Sequence, residues 1–164
     1  MSAILVVDPN VLLAAAGPDQ HRDSVWVLRA VHDRRNDFCV GMDPELQIYE
    51  EYMLHERLLT SVEVTNAFMK IFIDRRARGR VVTVKEAILT DEDRSFLASL
   101  NCTEPVEPEL IAVGKAGQPD CIVLTLGEEH EQAGMRKRGT NNVEHLDELH
   151  KRYCSLQVWP VSGF

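Results

Sequence analysis

Three short apolar runs constrain the fold of this chain more than any other feature. The runs are AILVVD (3–8), DFCVGM (37–42) and DCIVLTL (120–126), and they contain several β-branched residues. Runs of this length and composition are typical of strands that are buried on both faces. Such strands occur almost only in parallel sheets covered by helices, so the runs predict an α/β protein.

The stretches between these runs show helical spacing of apolar residues or helix end signals. One of them begins at Asp43, which we expect to cap a helix with Pro44 in its first turn. The predicted helices cover 11–17, 21–35, 43–59, 62–78, 90–100, 107–117 and 143–153, and further short strands cover 80–84 and 155–161. Strands that alternate with helices pair in parallel through right-handed crossovers. We therefore expect a three-layer α/β/α sandwich around a mainly parallel sheet of about four or five strands, in one domain over residues 1–164.

Composition excludes several classes of protein. The chain has 164 residues, of which 18 are basic and 26 acidic, and its formal charge is −8. This balance argues against a protein that coats nucleic acid non-specifically, so any nucleic-acid contact must come from a local basic patch. No apolar run approaches the roughly 20 residues of a membrane span, and the first residues lack a signal-peptide pattern. We therefore expect a soluble, cytoplasmic protein that does not contact a membrane.

Acidic side chains cluster where the predicted strands end. In an open parallel sheet, ligands bind beyond the carboxyl ends of the strands. Asp8 is the last residue of the first apolar run, and a charge at the end of a buried strand is costly unless it is paired or bound to a metal. The other candidates follow a strand or begin the helix that enters one, and they are Glu50, Glu51, Glu107, Glu109, Thr125, Glu128 and Glu129.

Several carboxylates at one edge need a cation, because like charges raise each other's pKa. A hard divalent ion with oxygen ligands, Mg²⁺ or Mn²⁺, is the usual partner. Helical spacing leaves Glu50 and Glu51 as alternatives, because each shares a face with apolar residues. Glu109 and Glu129 are interpreted as ordinary surface acids in preference to ligands.

Three segments of the chain each carry a recognisable pattern. The first is a strand that ends in an acidic residue, and the second is a helix with an acidic residue just before a tyrosine. The third is a helix that begins with an acidic residue and is followed by a strand with the pattern Ile-Val-Thr. The segments are ILVVDPNVLLAAAG, IYEEYMLHE and EPELIAVGKAGQPDCIVLT. Together they resemble the PIN-domain family of small α/β/α metal-dependent ribonucleases, over nearly the whole chain. The resemblance implies an endoribonuclease that hydrolyses RNA phosphodiester bonds with Mg²⁺ or Mn²⁺.

The resemblance also assigns roles to particular residues. It selects Glu51 over Glu50, places Glu107 at the third acidic position, and makes Thr125 the residue that ends the strand. Asp8, Glu51, Glu107 and Glu128 would then be the metal ligands, and Asn10 and Thr125 would orient ligands or the attacking water.

Two positions depart from the family pattern. The family usually has Asp where this chain has Glu107 and where it has Gly127. At the second position Glu128 or Glu129 would take the place of the family's Asp, which requires a slightly different path of the loop. The departures predict reduced activity or a changed metal preference, since metal sites need ligands placed within a few tenths of an ångström.

Two basic clusters are candidates for phosphate contact. One includes Arg75 and Arg76 near a predicted helix end, and the other comprises Arg136, Lys137 and Arg138 after the third apolar run. The second cluster lies close in sequence to the proposed metal edge, where phosphate contacts are needed.

The aromatic side chains are interpreted as packing residues in preference to base-stacking platforms, and they are Trp26, Tyr49, Tyr52 and Trp159.

Bacterial members of the PIN family include toxins that form dimers and are held by a cognate protein inhibitor, and the resemblance permits such a homodimer and partner here.

Two alternatives stay open. The first is a PIN-like fold with weakened catalysis that acts as a binding or assembly module, which Glu107 and Gly127 favour. The second is an unrelated α/β domain with an acidic Mg²⁺ pocket, such as a receiver-like module. That reading needs a phosphorylatable Asp at the end of a middle strand, whereas the third apolar run leads to Thr125.

Overall fold

A computed structural model describes residues 3–74, 78–100, 106–118, 120–126, 143–153 and 157–161. Within these residues five strands form one sheet, and they are β1 (Ala3–Val7), β2 (Phe38–Met42), β3 (Val81–Thr83), β4 (Cys121–Thr125) and β5 (Gln157–Pro160). The helices are α1 (Pro9–Ala16), α2 (Arg22–Asp33), α3 (Gln47–Leu54), α4 (Glu56–Leu59), α5 (Glu63–Ile73), α6 (Asp91–Ser99), α7 (Glu107–Ala116) and α8 (Val143–Arg152).

The sheet has the order β3-β2-β1-β4-β5, and each of the four strand pairings is parallel. β1 lies at the centre, where Ile4 pairs with Cys39 of β2 on one side and with Cys121 of β4 on the other. The expectation of a mainly parallel sheet of four or five strands within an α/β/α sandwich is confirmed.

Both faces of β1 are covered by helices, as its apolar sequence predicts. Leu5 contributes to a cavity of about 150 Å³ whose lining includes Leu28 of α2 and Phe68 of α5. The opposite face packs against α7, and Gly41 of β2 permits the close approach. A Cβ atom at Gly41 would lie 2.7 Å from Ile4 Cγ2 and 3.2 Å from Val113 Cγ1 of α7. A larger side chain there would therefore push α7 away from the sheet.

Asp93 connects the helices α6, α7 and α8. Its side chain is 4% exposed and forms the capping box of α6 with Thr90, whose Oγ1 donates to Asp93 Oδ2 over 2.9 Å. Lys115 Nζ at the end of α7 lies 2.9 Å from the same oxygen, and Arg152 Nη2 of α8 lies 3.6 Å from Oδ1. Tyr153 also donates a hydrogen bond to Asp93 Oδ1. We call these five residues the Asp93 cluster.

Three expectations are corrected by the structure. The helix predicted over 43–59 is two helices, because α3 begins only at Gln47 and ends at Leu54 before α4 starts at Glu56. The helix predicted to reach residue 78 ends at Ile73, and Asp74 is extended. Trp26 was expected to pack, yet it is 59% exposed.

Among the helices of the described ranges, none is long and apolar enough to cross a membrane.

Candidate functional site at the carboxyl edge of the sheet

The strand order changes direction at β1, and this places a crevice at the carboxyl edge of the sheet. The chain adds β2 and β3 on one side of β1, then returns to add β4 and β5 on the other side. In open α/β sheets, ligands bind outside the carboxyl ends of the strands at this kind of switch point. The residues that follow β1 and end β4 are therefore the first candidates for a functional site.

Asp8 lies at this switch point and is 2% exposed. It follows the last residue of β1 and caps α1, because its Oδ1 accepts a hydrogen bond from the backbone N–H of Asn10 over 2.9 Å. Its other oxygen, Oδ2, accepts a hydrogen bond from Thr125 Oγ1 over 3.3 Å. Thr125 ends β4 and is 1% exposed. The structure thus brings together Asp8, Asn10 and Thr125, three residues that the sequence singled out.

Tyr52 fixes the helix α3 to the end of β1. Its ring is fully buried and packs edge-on against Phe68, with 5.7 Å between the ring centroids. Its hydroxyl donates a hydrogen bond to the carbonyl oxygen of Val7, directly before Asp8. Burial raises the pKa of Tyr52, and the nearby negative charge of Asp8 raises it further. The phenol therefore stays protonated and keeps its hydrogen bond to the strand.

Glu51 is adjacent to Tyr52 in sequence but makes a different contact. Its Oε1 lies 3.6 Å from Nε2 of His55, one helical turn further on, and about a quarter of each side chain is exposed. The prediction that Glu51 is partly buried is confirmed. Its role as a metal ligand stays a prediction.

Asp43 is a buried acid at this edge, where the sequence predicts only a helix cap. It follows β2 as Asp8 follows β1, and it is 2% exposed. Its two carboxylate oxygens accept hydrogen bonds from the backbone N–H groups of Gln47 over 3.0 Å and Ile48 over 2.9 Å. Leu46, which lies between Asp43 and Gln47 in the chain, has a φ of 60°, a left-handed conformation that is strained for a side chain of this size. The two hydrogen bonds to Asp43 help to hold this turn. The signal was available, because Asp43 ends an apolar run just as Asp8 does.

Glu109 of α7 lies near the same turn, and 12% of its side chain is exposed. Burial raises its pKa, and the charges of Asp43 and Glu45 raise it as well, whereas Arg94 lowers it. Arg94 Nη1 lies 3.9 Å from Glu109 Oε1. Glu109 was expected to be an ordinary surface acid, but it is a largely buried carboxylate close to other acids. This result depends on how α7 packs, which no local sequence pattern reveals.

The chemistry of this edge is that of oxygen donors. Carboxylates and a hydroxyl suit Mg²⁺ or Mn²⁺ better than soft metals. Within the residues that the structure describes, no group of three or more His, Cys, Asp or Glu side chains is arranged to hold a metal ion. Several predicted site residues fall outside the described part, namely the side chain of Glu107, and Gly127, Glu128, Glu129, Arg75, Arg76, Arg136, Lys137 and Arg138.

Comparison of the chain with protein-family models, curated proteins and solved structures finds no match. The resemblance to the PIN family therefore stays a prediction that rests on the three sequence segments. The fold, the switch point and the burial of Asp8 are independent of that resemblance.

Proposed function

We propose that this chain is a metal-dependent endoribonuclease that hydrolyses RNA phosphodiester bonds with Mg²⁺ or Mn²⁺. The observation that carries the proposal is the buried carboxylate of Asp8 at the switch point of the sheet, bonded to the hydroxyl of Thr125 at the end of the neighbouring strand. Charged groups are rarely kept at the end of a buried strand without a functional or structural partner. The three PIN-like sequence segments add support that does not depend on this geometry.

The proposed ligand set is Asp8, Glu51, Glu107 and Glu128, with Glu129 as the alternative to Glu128. All of these donors are carboxylate oxygens, which fits a hard divalent ion. When bound, such an ion supplies a hydroxide from water and neutralises charge on the phosphate.

The neighbouring residues hold Asp8 in one orientation. The backbone N–H of Asn10 and the hydroxyl of Thr125 each donate to a different oxygen of the carboxylate. A donor on each oxygen restricts rotation of the carboxylate, which is the usual task of groups that surround a ligand. Tyr52 contributes from the core, because its hydrogen bond to Val7 fixes the strand end from which Asp8 projects.

The proposal extends to partners through the family resemblance. Arg136, Lys137 and Arg138 would contact the phosphates of the RNA substrate, and Arg75 and Arg76 would contribute a second basic patch. A homodimer and a cognate protein inhibitor, as in toxin-type nucleases, are proposed with it.

A cleavage assay tests the proposed activity. Single-stranded and structured RNA are incubated with the protein in Mn²⁺, Mg²⁺ or EDTA, and wild type is compared with Asp8→Asn. We expect cleavage that needs the divalent ion and falls at least about 100-fold in Asp8→Asn, the order of loss found when one preorganised group that stabilises transition-state charge is removed. Asp37→Asn is the matched control, because Asp37 is an exposed aspartate that precedes β2 at the opposite edge of the sheet.

Each outcome has a defined meaning. Cleavage that survives both EDTA and Asp8→Asn overturns the metal mechanism. Binding of RNA without cleavage in any metal identifies a binding module on this fold instead of an enzyme. In an active protein, Glu128→Gln and Glu129→Gln identify the fourth acid, because only the true ligand lowers kcat with little change in RNA affinity.

A further inference from the structure

Trp26 is exposed on the outer face of α2, between two arginines. The helix buries Val27, Leu28 and Val31 against the core, whereas Trp26 is 59% exposed. Arg22 and Arg29 stand four residues before Trp26 and three residues after it, and both are exposed. Residues at these spacings are neighbours on one helix face, with about 5–6 Å between their Cβ atoms. The outer face of α2 therefore presents an indole between two guanidinium groups.

These side chains line a groove of about 660 Å³. Its lining includes Gln20, Arg22, Asp23, Trp26, Arg29 and Val161. Asp23 is in the first turn of α2, where a carboxylate interacts favourably with the helix dipole. Two arginines and one aspartate line the groove, so its local charge is positive, whereas the formal charge of the chain is −8.

Val161 places this groove at the same edge of the sheet as Asp8. It directly follows Pro160, the last residue of β5, and Pro160 pairs with Thr125 of β4. Thr125 in turn donates a hydrogen bond from its hydroxyl to Asp8 Oδ2. Paired strands lie about 4.8 Å apart, so β5 is about 10 Å from β1. Only β4 therefore separates β5, whose end lines the groove, from β1, whose end carries Asp8.

We propose that this surface, comprising Trp26, Arg22 and Arg29, binds single-stranded RNA next to the Asp8 site, and this identification of the occupant rests on the proposed function. A base stacks on the indole of Trp26, and the two guanidinium groups contact the flanking phosphates. The unstacked bases of a single strand can reach an exposed aromatic ring, whereas the bases of a duplex are already stacked.

A protein partner fits this surface less well. The centre of a protein interface is depleted in charge and rich in apolar side chains. Among the described residues that line the groove around Trp26, Gln20, Arg22, Asp23 and Arg29 are polar or charged, and Val25 and Val161 are apolar. In the described segments the other large, exposed apolar side chains lie outside α2, namely Leu46, Leu54, Leu58, Ile73 and Ile88. An isolated aromatic ring between cations is typical of a stacking contact with a base.

Fluorescence titration tests the proposal without cleavage. The full chain is titrated in EDTA into a fluorescently labelled oligoadenylate of about ten nucleotides, the anisotropy of the label gives the affinity, and tryptophan emission is followed in parallel as the signal of stacking. We expect quenching in the wild type, and an affinity about 10- to 100-fold lower in Trp26→Ala. Trp26→Phe should lose only a few-fold in affinity, because it keeps an aromatic face, and should lose the quenching. Arg22→Gln and Arg29→Gln should each lower the slope of log Kd against log salt by about 0.7.

Matched controls separate this surface from general effects. Ile88→Ala removes another exposed apolar side chain, and Arg35→Gln removes an exposed charge just beyond the other end of α2. Both should bind the oligoadenylate like wild type. Equal affinity of wild type and Trp26→Ala, or tighter binding of a duplex than of the single strand, overturns the proposal. A dimeric wild type that becomes monomeric in Trp26→Ala, with RNA affinity unchanged, overturns it in favour of self-association. Failure of these binding tests leaves the cleavage assay on Asp8→Asn as a separate measurement of the proposed activity.

Discussion

Two buried aspartates are held in different ways in this fold. Asp93 accepts hydrogen bonds from Thr90, Lys115 and Tyr153, and lies 3.6 Å from a guanidinium nitrogen of Arg152. Asp8 accepts hydrogen bonds from a backbone N–H and from the hydroxyl of Thr125. Asp93 connects three helices, whereas Asp8 directly follows the central strand at the switch point of the sheet.

The comparison teaches that burial of a carboxylate does not by itself indicate function. Burial alone would raise the pKa of Asp93, but hydrogen bonds from Tyr153, Lys115 and Thr90 hold that pKa well below its usual range. The charge of Asp93 is therefore balanced within the fold, and we interpret the Asp93 cluster as structural. For Asp8 the functional interpretation rests on its position, because ligands of such sheets bind at the switch point.

The largest expected effect is a difference in stability between the two aspartates. Asp93→Asn should lower the free energy of unfolding by about 3 kcal/mol. This is the lower end of the cost of breaking a buried ion pair, because the side chains of Lys115 and Arg152 partly reach solvent. Asp8→Asn should change it by less than about 1 kcal/mol, because asparagine caps a helix as well as aspartate does. Urea unfolding of both variants measures this difference. Equal losses would contradict the distinction between the two residues.

A second prediction uses a divalent ion to sharpen the comparison. Mn²⁺ at about 100 times its Kd should stabilise the wild type by roughly 2.7 kcal/mol, if it binds only the folded state. For a chain of this length that corresponds to a Tm increase of about 5–10 °C. Asp8→Asn should lose most of this increase, whereas Asp93→Asn should keep it above a lower starting Tm. Thermal unfolding with and without Mn²⁺ measures both, and a wild-type Tm that does not respond to Mn²⁺ counts against the metal site.

The smallest effect is a pH dependence that belongs to Asp93. Its pKa is lowered in the folded state, and the unfolded value is about 3.9. Its charge therefore stabilises the fold fully above that value, and this contribution is lost as the pH falls below about 4 towards the folded pKa. The stability difference between wild type and Asp93→Asn should shrink by about 1 kcal/mol between pH 7 and pH 3. A difference that stays constant over this range would show that the charge of Asp93 is not what stabilises the cluster.

Much of the fold was predictable, because strands and helices leave local signals. The runs that become β1, β2 and β4 are apolar and rich in β-branched residues, so their assignment needed no knowledge of the tertiary structure. The boundary of α3 was mispredicted because Asp43 bonds to the backbone of Gln47 and Ile48 across a left-handed Leu46. A standard cap would have started the helix directly after Asp43, and a positive φ at leucine has no sequence signal.

The site was predictable only in part. Asp8 and Thr125 were identified from their positions at strand ends and Asn10 from the family resemblance, and in the structure Asp8 accepts hydrogen bonds from Thr125 Oγ1 and from the backbone N–H of Asn10. Glu109 was interpreted as a surface acid, because its burial depends on the packing of α7 against the turn after β2. Trp26 was expected to pack, because an indole is large and apolar, but it does not lie on the side of α2 that faces the core.

The sequence by itself determined the fold class, the alternation of strands and helices, and the acid that ends the central strand. These features depend on the periodicity and composition of short segments, which act locally. Only the tertiary structure decided which acids are buried together, which arginines and lysines balance Asp93, and which face of α2 meets solvent. Those outcomes depend on residues far apart in the chain, such as Asp93 with Arg152 or Asp8 with Thr125. Contacts of that kind form when helices pack on the sheet, and no local pattern encodes their partners.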